Sequence, residues 1–407
     1  MASIKFNLLT FLRKGEVEEI KKQLSELNEE EWNVLLGTAR RQKLGPILFH
    51  CLKPYYSSTY IPICYQDQIR NEYFNSATRN MRLYSQLEDI LKKFANEDIP
   101  VILLKGAHLA KYIYENIAFR PMVDIDLMIK QDDLEKAHRL LIEDGYRTSE
   151  KLEEELPPYE KKGKIPVEIH SHLKILPNEG NVDIASLWAR AEKVYLGEVQ
   201  VLTLCPEDLI LHLCLHSCNH HCLEHGLISC LDISHTVIHY EEKLDWNQLW
   251  ARGQKWGIER SVYLMLALTE KTIGPPIPEE IKLEMKPDYK ALNALAEAED
   301  LIFEQFTDLS PNVSSLFRQQ GWRRRFDILL ERIFLAEESD KFENTEMNKS
   351  NFLKAFIIFP YRLWILFKRY RKTIWLALCG DQHTVNTIKS GNRRQDLRRW
   401  FSNSEEV

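Results

Sequence analysis

Apolar and polar positions along the chain divide it into three zones of different period. Over residues 1–97 the pattern is helical. Asn28 followed by Glu31 predicts a reciprocal cap ahead of "EWNVLLGTARRQKLGPILFHCL". Pro54, Ser57, Ser58 and Pro62 predict a connection. Leu83, Leu87, Ile90, Leu91 and Phe94 then recur at the spacing of one helical face. At residue 98 the period changes. "IPVILLKG" is a short, β-branched apolar run closed by glycine, which predicts a buried strand. "AHLAKYIYEN" reads as a helix and "VDIDLMI" as a second strand. "QDDLEKAHRLLIEDG" reads as a helix capped by Asp132, with Glu135 three residues on and Gly145 at its end. "IPVEIHSHL" reads as another strand. From Pro206 onward the period is helical again, beginning with "PEDLILHLCLHSCNHH", whose proline and acidic residues suit a first turn. "PPIPEE" breaks the pattern, and residues 281–351 are charged and weakly patterned. The pattern predicts a helical region over 1–97, a small α/β unit over 98–175, a helical domain over 176–280 and a C-terminal helical region over 281–407.

Composition narrows the class without naming it. Of 407 residues, 44% are apolar and 28% charged, and the formal charge is −6. Those values fit a globular protein and give no sign of a bulk nucleic-acid binder or a disordered acidic chain. The N-terminal apolar stretch is short and runs into charge, so no secretory signal is expected. "FLKAFIIFPYRLWILFKRYRK" is interrupted by Lys354, Pro360 and Arg362, so no transmembrane segment is expected; beside Lys368, Arg369, Arg371 and Lys372 it also suits a membrane surface. Residues 352–400 carry eleven Lys and Arg against two Asp, which suits either phosphate contacts or a solvated helix. Eight cysteines without disulfide spacing point to a reducing cytoplasm.

The unusual feature is a pair of aspartates inside "RPMVDIDLMI". An unpartnered buried carboxylate is costly. On a strand, Asp124 and Asp126 point to the same face with Cα atoms about 6.5–7 Å apart, while Ile125 and Leu127 anchor the other face. Two like charges this close repel, and a hard divalent cation relieves the repulsion. In "PVEIHSHL", Glu168 and His170 share one face. If that strand lies beside the first, three carboxylates can seat two Mg²⁺ ions about 3.5–4 Å apart, an arrangement suited to in-line displacement at phosphorus. Gly106 permits close backbone approach, and the helix after it offers free N–H groups to phosphate oxygens. Lys105 and Arg120 add positive charge for a triphosphate. Each residue also has a plainer reading. D-x-D is common in turns and at exposed strand edges, Lys105 fits a snorkelling strand end, and Arg120 fits a simple pair with one of the aspartates. The run "CLHSCNHHCLEHG" offers Cys214, Cys218, Cys222, His221 and His225 at helical spacing, which suits zinc or a buried structural helix.

The ordered set resembles the polymerase β-like nucleotidyltransferase superfamily: Gly106-Ala107 at the turn, Val123-Asp124-Ile125-Asp126-Leu127 on the strand and Glu168 on a later strand. More closely, it resembles an uncharacterised bacterial nucleotidyltransferase family. The matching positions are Leu104-Lys105-Gly106, Tyr114, Arg120, Asp124, Asp126, Gly145-Tyr146 and Glu168-Ile169-His170, continuing through His216 and Asp232, over about residues 30–280. Ala107 stands where that turn often carries serine, and the gap from Gly106 to Asp124 is longer than in many such enzymes. The resemblance implies an α+β fold with a small mixed-sheet nucleotidyltransferase core flanked by N- and C-terminal helical regions. It implies transfer of an NMP from an NTP such as ATP to an acceptor, with release of pyrophosphate. Asp124, Asp126 and Glu168 would be the catalytic, metal-holding carboxylates for two Mg²⁺ or Mn²⁺ ions. Lys105, Gly106, Ala107 and Arg120 would bind the nucleotide, and His170, His216 and Asp232 would contact substrate, although His216 and Asp232 also suit core packing. The acceptor is open among a small molecule, a peptide and RNA. Two other readings stand beside this one: a catalytically inactive nucleotide-binding or scaffold protein of the same fold, and a tRNA-directed toxin-type transferase.

Overall fold

The computed structural model describes residues 2–13, 15–56, 60–148, 158–173, 182–220, 222–304 and 382–401. Two compact units divide the chain: Met1–Phe303 with Trp400–Val407, and Glu304–Arg399. In the second unit, Arg393 pairs with Glu304. The apolar and basic stretch from 352 to 372 and residues 305–351 lie outside the described residues, as does most of the basic tail. Among the described residues, no helix is long and apolar enough to cross a membrane.

The N-terminal region is helical, as expected: α1 (Ala2–Leu12), α2 (Val17–Glu26), α3 (Glu29–Arg41), α4 (Gly45–Leu52) and α5 (Ile63–Asn96). The reciprocal cap at α3 is present. Asn28 Oδ1 accepts from the Glu31 N–H at 3.0 Å, and Glu31 Oε2 accepts from the Asn28 N–H at 3.1 Å. The run that follows this cap to Leu52 forms two helices. Pro46 lacks an N–H and restarts the helix at its first turn. Between the two, Lys43 takes a left-handed φ of +57°. On α5, Leu83, Leu87, Ile90, Leu91 and Phe94 are all buried and pack on the sheet.

Five strands form one mixed sheet: β1 (Val101–Leu103), β2 (Ile125–Ile129), β3 (Val167–His170), β4 (Glu192–Leu196) and β5 (Val199–Thr203), in the order β3-β2-β1-β5-β4. β1 is antiparallel to β2 and parallel to β5, and β2 runs parallel to β3. The sheet therefore does not end at residue 175. β4 and β5 fall in the stretch expected to be helical and form a hairpin through Gly197-Glu198, where Gly197 takes a φ of +59°. Ile125, Leu127, Ile129, Val167 and Ile169 turn one face of the sheet toward α5. By alternation, Asp126, Glu168 and His170 lie on the other face. α7 (Leu134–Glu143) ends as expected, with Gly145 left-handed at +86°; its start differs, because no side chain caps it and residues 131–133 form a 3₁₀ turn instead.

Short helix α8 (Ile184–Arg190) precedes β4, and α9 (Pro206–Leu215), α10 (Leu227–His239), α11 (Trp246–Trp256), α12 (Glu259–Thr272), α13 (Glu279–Met285) and α14 (Tyr289–Leu301) follow β5. Pro206 opens α9 with Glu207 and Asp208 in its first turn, as its sequence predicts. Asp208 is fully buried and accepts from Arg190 at 2.9 Å and Arg252 at 3.2 Å, tying α8, α9 and α11 together.

The segment after β1 departs from a regular helix. α6 (Lys105–His108) is one turn, followed by a π-helical turn from Leu109 to Ile113. His108 is fully buried there and neither ring nitrogen has a partner. Burial, with a smaller contribution from His239, pushes its imidazole down to about 3. The unfolded chain binds this proton below about pH 6.5 and the folded chain does not, so stability falls as the pH drops through that window. Between about pH 7 and about pH 5 the protein should lose about 2 kcal/mol through His108. Urea unfolding at both pH values checks this: the His108→Leu variant should lose about 2 kcal/mol less than the parent.

Candidate active and metal site

The site is assembled on the face of the sheet turned away from α5. The parallel register of β2 and β3 sets Asp126 directly beside Glu168 and Met128 beside His170. The neighbouring strand positions that the sequence requires are thus realised. Ligand atoms of Asp126, Glu168 and His170 lie within 4.8 Å of one another. Two carboxylates and one imidazole are a donor set that fits a divalent ion tolerant of both oxygen and nitrogen. The position of His170 in this group is more central than the substrate contact expected of it; its place two residues after Glu168 on one strand face is the signal for that.

Asp124 sits one residue ahead of β2 rather than within it, and it is not part of the 4.8 Å group. It is half-buried and within electrostatic reach of Asp126, Lys105, Lys43 and Arg120. Burial, reinforced by the Asp126 charge, raises its carboxyl above the ordinary range. Glu168 is raised for the same two reasons. Asp126 behaves in the opposite way. Its side chain is 4% exposed, and burial alone would neutralise it, but Lys105 Nζ at 2.6 Å and His170 Nε2 at 3.0 Å outweigh burial and hold it well below the usual range.

Lys105 therefore does not snorkel. It closes on Asp126 from a strand-to-helix corner and takes a φ of +42°, a conformation that costs a non-glycine residue about 1 kcal/mol. Gly106 is needed for space rather than for a positive φ: a Cβ there would lie 2.9 Å from Met122 Cγ. Ala107 is buried, and its carbonyl accepts from Tyr84 Oη at 3.0 Å.

Arg120 pairs with neither motif aspartate. Its Nε donates to both oxygens of Asp232 on α10, at 2.7 and 2.9 Å, and Nη1 donates to the Pro121 carbonyl at 2.7 Å. Tyr114 Oη donates to the same Asp232 carboxylate at 2.8 Å, and Tyr114 packs on the His235 ring 4.4 Å away. Tyr114, Arg120 and Asp232, three positions of the sequence pattern, thus meet in one buried cluster. His216 does not join the three-ligand group. Its ring stacks on His225 at 5.7 Å and lies 6.2 Å from the His212 ring. Among the described residues no metal-ligand group forms in the Cys/His run; Cys214, Cys218 and Cys222 are buried, and His221 lies outside the described residues.

One cation at the site has no sequence signal. Lys43, from the corner between α3 and α4, is half-buried and within reach of the charges of Arg120, Asp124, Asp232 and Arg79. Burial, then the Arg120 charge, lowers its ammonium below the usual lysine range. Arg79 is itself anchored, donating to the carbonyls of Met122 at 2.7 Å and Val123 at 3.0 Å just ahead of Asp124.

No curated protein matches the chain. Among solved structures, the chain is similar to the solution structure of the antibiotic-resistance factor ANT(2'')-Ia, described as showing substrate-regulated conformation dynamics. The identity is 12% and the TM-score 0.29, over 43% of this chain and 96% of that one. The model of a family described as "uncharacterised nucleotidyltransferase" matches residues 28–274, which spans the N-terminal corner, the sheet and α10. With more than half of its length matched, the chain belongs to that nucleotidyltransferase family.

Proposed function

We propose that the protein is a divalent-metal-dependent enzyme that moves an NMP from an NTP to a hydroxyl or similar acceptor and releases pyrophosphate. The observation that carries this reading is the side-by-side placement of Asp126 and Glu168 on parallel strands, with Asp124 at the entrance to the first. Two ions, Mg²⁺ or Mn²⁺, held by Asp124, Asp126 and Glu168 with His170 between the last two, would neutralise the charge of a phosphoryl group under in-line attack. Lys105 keeps Asp126 ionised and ready for a cation. Glu168 stands on the acceptor side, and Lys105, Gly106 and Ala107 border the donor phosphates. Cys205, Cys214 and Cys230, buried and outside any disulfide, support a cytoplasmic setting.

Arg120 has a double role in this reading. Its bonds to Asp232 and Pro121 fasten the β2 approach to α10, and Nη2 is the guanidinium nitrogen left for a phosphate oxygen. Asp232 acts through Arg120 and Tyr114 and positions the site.

Incubating the full chain with each α-labelled NTP, Mg²⁺ or Mn²⁺ and cell extract should transfer label to an acceptor. Asp126→Asn and Glu168→Gln should each lower that transfer about 100-fold or more; Glu168→Gln should leave thermal unfolding unchanged, whereas Asp126→Asn, which leaves Lys105 without its carboxylate, should lower the unfolding temperature. Transfer that survives both substitutions would sink the reading. Asp232→Ala should act on stability first. It leaves the Arg120 guanidinium buried without its carboxylate, and urea unfolding should show a loss of about 3–5 kcal/mol.

A further inference from the structure

One donor of the acidic centre is a nitrogen, and it faces both carboxylates. β3 turns Glu168 and His170 to the same face, and Ile169 between them is buried and fixes the strand. Asp126 stands opposite Glu168 on β2. His170 Nε2 lies 3.0 Å from Asp126 Oδ1 and 3.7 Å from Glu168 Oε2. One Nε2–H can serve only one carboxylate, and 3.7 Å is too long for a hydrogen bond to the other. A role confined to hydrogen-bonding Asp126 accounts for the shorter contact but leaves the Glu168 carboxylate facing the ring without a donor.

The oxygens around the ring keep acceptor capacity. Asp126 Oδ1 receives both Lys105 Nζ, at 2.6 Å, and His170. Among the described residues, Asp126 Oδ2 and the Glu168 carboxylate accept no hydrogen bond. A single imidazole proton is a poor match for two converging carboxylates. A divalent ion is a better one, because it carries two charges and all three side chains can reach it: their ligand atoms lie within 4.8 Å of one another. With its proton on Nδ1, the imidazole presents the Nε2 lone pair to that ion. The side chains of His170 and Glu168 are 24% and 33% exposed, so the ion has a way in from solvent.

The nitrogen bears on which ion is held. Mg²⁺ takes oxygen ligands and gives up water reluctantly, so exchanging a water for an imidazole gains it little. First-row transition ions bind imidazole more strongly, and Mn²⁺ is the member of that series that also suits a carboxylate-rich site. We propose that His170 is a ligand of the ion shared by Asp126 and Glu168, and that it sets the preference of this centre for Mn²⁺ over Mg²⁺. This rests on the divalent-metal reading above and narrows it: carboxylates alone accept either ion, and the imidazole separates the two.

The test uses the full chain without nucleotide, titrated with Mn²⁺ and, separately, with Mg²⁺ by calorimetry. Bound Mn²⁺ is then examined by pulsed electron paramagnetic resonance, in which a directly coordinated ring nitrogen modulates the echo. The parent should show that nitrogen modulation. His170→Asp offers an oxygen in place of the nitrogen. It should still bind Mn²⁺ but lose the modulation, and its preference for Mn²⁺ over Mg²⁺ should fall about tenfold. His170→Ala should bind Mn²⁺ about tenfold more weakly or worse, with Mg²⁺ binding changed by less than about threefold. Lys105 still holds Asp126 in both variants. A role for His170 only in holding Asp126 would weaken both ions equally, and that result overturns the proposal. So do a parent that binds no Mn²⁺, bound Mn²⁺ without nitrogen modulation, and modulation that survives in both variants. Transfer of label from NTP is read separately. Nitrogen modulation that disappears in His170→Asp, in a chain that transfers label from no NTP, supports this metal site while the nucleotidyltransferase reading fails; transfer with Mn²⁺ bound but no nitrogen modulation does the reverse.

Discussion

A carboxylate sealed in a protein interior stays charged only if positive groups are built around it, and Asp126 is the case on which this site depends. Its side chain is 4% exposed and receives Lys105 at 2.6 Å and His170 at 3.0 Å. Those two contacts overcome the burial that would otherwise protonate it. They also join three strands of the sheet: Lys105 follows β1, Asp126 lies on β2 and His170 on β3. The chemistry and the sheet are therefore the same construction. Glu168 has the His170 ring only at 3.7 Å and, like Asp124, is raised by burial and by its charged neighbour, so the three carboxylates are not equivalent. One is held ionised by the fold; the other two would gain most from a bound cation.

The helical parts of the chain serve this centre from two directions. From the C-terminal side, α10 carries Asp232, which gathers Arg120 and Tyr114 into a buried hydrogen-bonded cluster next to the β2 approach. From the N-terminal side, the corner between α3 and α4 delivers Lys43, and α5 delivers Arg79 to the carbonyls that precede Asp124. The matched family region runs from the start of the α3 cap to the end of α12 and so includes both. The site is not a property of the sheet alone.

Much of this architecture is legible in the sequence. The face of α5, the strand character of residues 101–103, 125–129 and 167–170, the cap at Asn28 and the opening of α9 at Pro206 follow from local period and capping chemistry. β4 and β5 were the chief omission, although "EKVYL" and "VQVLT" alternate around a Gly-containing turn and carry the signal of a hairpin. The break between α3 and α4 had its signal in Pro46.

What the sequence determined by itself was the alternation that puts Asp126, Glu168 and His170 on polar faces of otherwise apolar strands, because side-chain direction along a strand depends only on position. Which partners those side chains meet depends on how distant elements pack. Arg120 pairs with Asp232, 112 residues away, rather than with a neighbouring aspartate. Lys43 reaches the site from a corner whose own sequence is unremarkable. Contacts at such separations arise from the packing of whole elements, and no local pattern encodes the geometry that brings their ends together.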